Sequence, residues 1–159
     1  MNHLATSKED ILAASRDLIK ENGWAAVSIR AVASRCSVSA GTIYNYYESK
    51  ADLLSDTIES IWHEIFFHPE DEQIFHDVET CISWIYERLE YGNRQFPGFF
   101  SLHSFGFMRD EKTSGKKRMM KTWGHILNGL CEVLGNDPKV RTDVFDQEFT
   151  EKKFADIQF

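Results

Sequence analysis

Ile11, Leu12, Ser15, Leu18 and Ile19 recur at the three- and four-residue spacing that lines one face of a helix. This first helix is expected to open at Thr6, whose hydroxyl stands three residues before Glu9 as in a capping box, and to close at Asn22-Gly23. Two short helices follow in the pattern, Ser28 to about Arg35 and Ser39 to about Tyr46, each led by a serine suited to an N-cap and separated by the turn Cys36-Ser37-Val38. A longer helix starts at Ser49 and runs through Leu54, Ile58, Ile61 and Ile65 until His68-Pro69 stops it. Ile74, Val78, Ile82, Ile85 and Leu89 predict a fifth helix ending near Gly92-Asn93, and Phe96 to Met108 a sixth. The polar stretch 109–115 reads as a loop. Met119, Trp123, Ile126, Leu127, Leu130 and Leu134 make a seventh helix closed by Gly135-Asn136-Asp137-Pro138, and Val140 to about Phe154 a weakly amphipathic last one. No alternating β-branched run is present, so the fold class expected is all-α.

Composition narrows the picture without changing it. At 159 residues the chain has room for one domain with its own core, or a small pair of units, and none for a large multidomain enzyme. No uncharged stretch is long and apolar enough for a bilayer span, and the first ten residues lack a basic segment followed by an apolar one, so neither a membrane nor secretion is expected and the cytoplasm is the anticipated compartment. Cys36, Cys81 and Cys131 are odd in number and far apart, which suits reduced thiols. His63, His68 and His76 are irregularly spaced, so no metal site and no cofactor is expected. The net charge of −7 argues against a nucleic-acid partner only if it is read over the whole chain. Residues 1–50 hold six basic against five acidic side chains, a balance of +1, which leaves −8 on the other 109 positions.

Within that near-neutral first third lies the informative segment. Two short helices joined by a tight turn and packed through Ile29, Val32, Ala33, Val38 and Ile43 make a helix-turn-helix. The second helix of such a unit fits the major groove of DNA and reads base edges from its N-terminal end, here Ala40, Gly41 and Thr42, with the cap Ser39 also counted among the DNA-binding residues. Ser28, Tyr44, Tyr46 and Lys50 surround it with donors suited to phosphate oxygens. Gly23 before the Val27-Ser28-Ile29-Arg30 run, the Val32-Ala33 pair, the stretch Val38-Ser39-Ala40-Gly41-Thr42-Ile43-Tyr44, and Tyr47-x-Ser49-Lys50-x-x-Leu53 stand in one register. Over roughly residues 8–60 this resembles the DNA-binding region of the tetracycline-repressor (TetR) family of bacterial transcriptional regulators. The resemblance implies Arg30, Ala40, Gly41 and Thr42 as base-edge neighbours and Ser28, Tyr44, Tyr46 and Lys50 as phosphate contacts. Tyr47 stands where the family often has Phe, Tyr46 where it often has His, and Glu48 where a basic residue is frequent; an acid so near the phosphates implies modest nonspecific affinity.

The resemblance further implies a DNA-binding unit over residues 1–48 and a helical effector-binding and dimerisation unit over 49–159, a homodimer on a palindromic operator in double-stranded DNA, and release by a small molecule. Trp62, Phe66, Trp84, Phe99, Phe100, His103 and Phe107 are the candidates for a mostly apolar effector pocket. Trp123, Gly124, Leu127, Cys131 and Leu134, with small residues beside large ones, are the candidates for a partner-helix contact. The rivals are a small helical enzyme with a Phe-rich pocket, for which no nucleophile elbow or phosphate loop is found, and a helical adaptor that binds only protein.

Overall fold

The computed structural model of the protein describes residues 6–67, 75–100 and 114–158, and every helix assignment among them agrees with the all-α expectation. The elements are α1 (Lys8–Asn22), a 3-10 turn (Trp24–Ala26), α2 (Ile29–Arg35), α3 (Ala40–Tyr44), α4 (Lys50–Phe66), α5 (Val78–Gln95), α6 (Ser114–Asn136) and α7 (Glu151–Gln158). Helix α1 packs on α2 and α4, α2 on α3, α4 on α5 and α6, and α6 on α5 and α7. One apolar cluster runs through them from Ile11 to Ala155, so the units expected at 1–48 and 49–159 share a core.

Local chemistry fixes the helix starts. Ser28, Ser39 and Ser49 each accept the backbone N–H three residues ahead, as their positions in the sequence suggest. Helix α1 corrects the expectation by one residue: Ser7, not Thr6, forms the capping box, accepting the Asp10 N–H at 3.1 Å while the Asp10 carboxylate accepts the Ser7 N–H at 2.9 Å. Thr6 is buried instead, and its carbonyl is held by a tertiary contact described below. Gly23 ends α1 at φ 79°, a backbone conformation costly for any residue with a Cβ. Helix α5 starts at Asp77, which accepts the Thr80 N–H at 2.9 Å, and continues past Gly92-Asn93 to Gln95.

Two further expectations change. Helix α6 begins at Ser114, inside the stretch read as a loop, and most of the helix expected over 96–108 lies outside the described residues; Phe99 and Phe100 are helical. The segment Val140 to Thr150 is not a helix. Carboxylates in and just before it capture the backbone locally: Asp146 accepts N–H groups of Glu148 and Phe149 at 2.7 Å each, and Asp137, before the segment, accepts that of Lys139 at 2.9 Å. Such side chain to backbone bonds compete with helix formation, and only α7 remains helical. The three cysteines are free thiols, with Cys81 fully buried.

Candidate nucleic-acid interface

The α2–α3 unit is built on a turn that few residues tolerate. The Ser37 N–H donates to the Ser34 carbonyl at 3.1 Å and that of Val38 to Ala33 at 2.9 Å, with Ser37 at φ 56° between them. Helix α3 has only five residues, too few to be stable alone, and is held by Ile43 and Tyr47, which are 0% and 4% exposed. Ser39 closes its N-terminal end, with Thr42 Oγ1 at 3.0 Å from its own hydroxyl. Burial of Ile43 turns the opposite side of α3 outward. Gly41 is exposed, Ala40 and Thr42 are half-buried, and Tyr44 is 55% exposed.

The charge distribution around this face separates two kinds of basic residue. Lys8 pairs with Asp56 at 2.6 Å, Arg16 and Lys20 with Glu64 at 3.0 and 2.6 Å, and Arg35 with Glu21. Arg30 and Lys50, the other two basic side chains in the first 50 residues, are exposed and have no ion pair among the described residues. An exposed cation with no ion pair among the described residues, on the helices before and after α3, is available to an external anion, whereas the paired four are occupied in holding α1 to α2 and α4.

Tyr46 and Tyr47 divide differently. The Tyr46 hydroxyl donates to the Thr6 carbonyl at 2.7 Å, tying the end of α3 to the chain entering α1, so its proton is already committed. Tyr47 packs inward as the sequence implies; burial first, then the Asp56 and Glu9 carboxylates, push its phenol far above the usual tyrosine range. The Tyr47 Oη is buried without a hydrogen-bond partner among the described residues.

In the second half the structure brings together most of the expected aromatic set. Trp62 stacks on Phe66 at 5.1 Å and meets Phe99 at 5.6 Å and Phe100 at 6.0 Å, while Phe66 meets Trp84 at 6.0 Å. His103 and Phe107 lie outside the described residues. Trp123, expected at a partner helix, joins this cluster at 5.9 Å from Trp62 and 5.8 Å from Phe66, and Leu134 is 5% exposed, so both are occupied within the protomer. Leu127 and Cys131 are half-buried against the core. Among the described residues nothing lies within 4 Å of where a Gly124 Cβ would stand. Sequence reasoning missed the junction residues Trp24, Glu64 and Tyr91, whose partners lie 27 to 73 positions away and leave no local pattern.

Residues 11–57 match the family model described as bacterial regulatory proteins, tetR family. This chain carries the tetR-family N-terminal domain. Over 48 residues it is 38% identical to the HTH-type transcriptional regulator UidR of Escherichia coli (strain K12), and over 47 residues 45% identical to the HTH-type transcriptional repressor KstR of Rhodococcus jostii (strain RHA1). Each match covers 30% of this chain and only 24% and 22% of those proteins, so the likeness is that of the DNA-binding region. The fold extends further: the crystal structure of a transcriptional regulator FadR from Bacillus subtilis in complex with stearoyl-CoA aligns over 96% of this chain and 81% of its own, with a TM-score of 0.56 at 19% identity. The likeness in fold to that structure therefore extends well beyond α4. Among the described residues, no helix is long and apolar enough to cross a membrane and no group of acidic, His and Cys side chains is placed to hold a metal ion.

Proposed function

We propose that this chain is a DNA-binding transcriptional repressor that acts as a homodimer on a palindromic operator and leaves it when a small apolar effector occupies the second unit. The observation that carries the reading is the reserved charge: of the six basic side chains in the first 50 residues, the two without an ion pair among the described residues are Arg30, in the first turn of α2, and Lys50, which opens α4. Ala40, Gly41 and Thr42 approach base edges and Arg30 stands beside them. Ser28, Tyr44 and Lys50 meet phosphates, and Tyr46, whose proton is held by the Thr6 carbonyl, meets the DNA backbone through its ring. Two-fold symmetry sets the half-sites about 34–36 Å apart.

Gly124 and the exposed Met120 one turn before it offer a face of α6 to a partner helix, with Leu127 and Cys131 beside it. The effector works on the aromatic cluster of Trp62, Phe66, Trp84, Phe99 and Phe100. A tenfold loss of operator affinity needs about 1.4 kcal/mol of coupling. Stearoyl-CoA, bound in the FadR structure, is the first compound to test. The deciding experiment is to select bound sites from random duplex DNA at low salt and then add stearoyl-CoA to the selected complex. A two-fold symmetric site supports the reading, and a chain that enriches no site removes it.

A further inference from the structure

Besides α4, a second physical link joins the helix-turn-helix to the second half of the chain. The Trp24 indole N–H donates to the Pro97 carbonyl at 3.2 Å, and its ring lies nearly parallel to Phe99, 14° between planes at 5.7 Å. Phe99 is fully buried and touches Trp62 and Phe100, so Trp24 rests directly on the aromatic cluster. Beside it the Lys20 ammonium stands 4.9 Å above the Phe96 ring. Both sides of the joint are backbone corners: Gly23 immediately before Trp24 and Gly98 between Pro97 and Phe99 each have φ 79°.

The α1–α4 ion pairs, Lys8 to Asp56 at one end and Arg16 and Lys20 to Glu64 at the other, lie along one seam between two helices. A single seam resists separation but leaves rotation about itself. A contact from the end of α1 to a different element, the 96–100 turn, removes that freedom. Trp24 is also only four residues from Ser28, the cap of α2, whereas the route along α4 from Trp62 to Lys50 is about 18 Å of helix.

We infer that Trp24 is a positioning residue: seated on Pro97 and Phe99, it fixes the angle at which α2 and α3 are presented and carries displacements of the 96–100 turn to them without passing along α4. Its regulatory meaning rests on the reading proposed above, but the positioning itself does not need DNA to be measured.

Spin labels on Asn45→Cys and Glu87→Cys, both exposed positions, report the distance between the end of α3 and α5. Cys36 and Cys131 are replaced by Ser, the buried Cys81 is kept, and labelled chain is diluted with unlabelled chain so that only distances within one protomer are read. Trp24→Ala should broaden and shift the distribution at temperatures where circular dichroism shows the helices intact, and Trp24→Phe, which keeps a ring on Phe99 without the N–H, should fall between. If Trp24→Ala does not fold, Trp24→Leu replaces it with the same outcomes. A purely structural role lowers the melting temperature and leaves the distance in the folded chain unchanged, and that result overturns the inference. Since no DNA is present, this failure and that of the repressor reading are separate.

Discussion

Lys20 of α1 donates to Glu64 of α4 at 2.6 Å, and the same carboxylate accepts from Arg16 at 3.0 Å and from the Tyr91 hydroxyl of α5 at 3.2 Å. One acidic side chain thus gathers three helices at the junction between the two halves. Glu64 is about a quarter exposed, so solvent weakens each pair. Glu64→Ala should lower stability by about 1 kcal/mol in urea unfolding at low salt, with the difference shrinking as salt is raised. No salt dependence of the difference would show that the pairs do not carry the junction.

The N-terminal end of α3 offers a separation of roles. Lys50→Ala should weaken binding to all duplexes and reduce the slope of log affinity against log salt by roughly one unit, the signature of one lost phosphate contact. Thr42→Ala should alter base preference by about 1–3 kcal/mol at one position of each half-site and leave the salt slope unchanged. Ser39→Ala removes the cap of a five-residue helix and should cost about 1 kcal/mol of folding stability. Parallel binding profiles for wild type and Thr42→Ala across randomised sites would strike Thr42 from the base contacts.

Much of this region was legible beforehand because its determinants are local. Ser28, Ser39 and Ser49 cap the helices they precede, and Gly23 takes its positive φ where the first apolar stripe ends. The capping box at α1 was misplaced by one residue because Thr6/Glu9 and Ser7/Asp10 have the same spacing, and only the burial of Thr6 decides between them. The C-terminal stretch failed for a related reason: the apolar spacing of Val144, Phe145 and Phe149 suits a helix, but Asp146 binds the backbone of the two residues that would continue it. Trp123 could not be assigned from its helix face, since both a partner helix and the Trp62–Phe66 stack present apolar surface to it. That Arg30 and Lys50 are the cations of the first 50 residues without an ion pair among the described residues depends on contacts of α1 with α2 and α4, invisible to any local window.

Close packing between α4, α5 and the turn after α5 gives a stability test. A Cβ at Gly92 would stand 2.6 Å from Ile65 Cδ1 and 3.0 Å from Phe100 Cζ, both in a packed setting. Gly92→Ala should therefore destabilise, because overpacking of about 1–3 kcal/mol exceeds the helix-propensity gain of up to about 1 kcal/mol. Gly135→Ala, with nothing within 4 Å among the described residues, should show the gain alone. Chemical denaturation of both variants checks the contrast, and equal shifts would mean that Gly92 is not tightly enclosed.

Asp137 supplies a pH test. Its carboxylate accepts the N–H of Val78 at 2.9 Å, joining the end of α6 to the start of α5, and also that of Lys139; these bonds hold its pKa below the ordinary 3.8. A carboxyl with a depressed folded-state pKa contributes stability that is present above its unfolded value and lost as pH falls through the folded one. Asp137→Asn should melt below wild type at pH 7, and the gap should close below pH 3.8. A gap independent of pH would place the effect in shape alone.

The proposed dimer face rests on Gly124. In a lone helix Gly124→Ala gains stability, whereas at a close helix contact the added methyl pushes the partner away. Sedimentation should show weaker self-association together with an unchanged or raised monomer melting temperature. Undiminished association would move the dimer contact off this part of α6.

The central claim is tested most directly by titrating random-duplex selected sites against wild type and the Arg30→Ala/Lys50→Ala double variant at low salt. The account predicts a two-fold symmetric enriched site for wild type, and for the double variant a loss of affinity with a salt slope reduced by about one unit, from the Lys50 phosphate contact, and an altered base preference, from Arg30. Equal affinity and equal slope for the two proteins, or no enrichment by wild type, would contradict it.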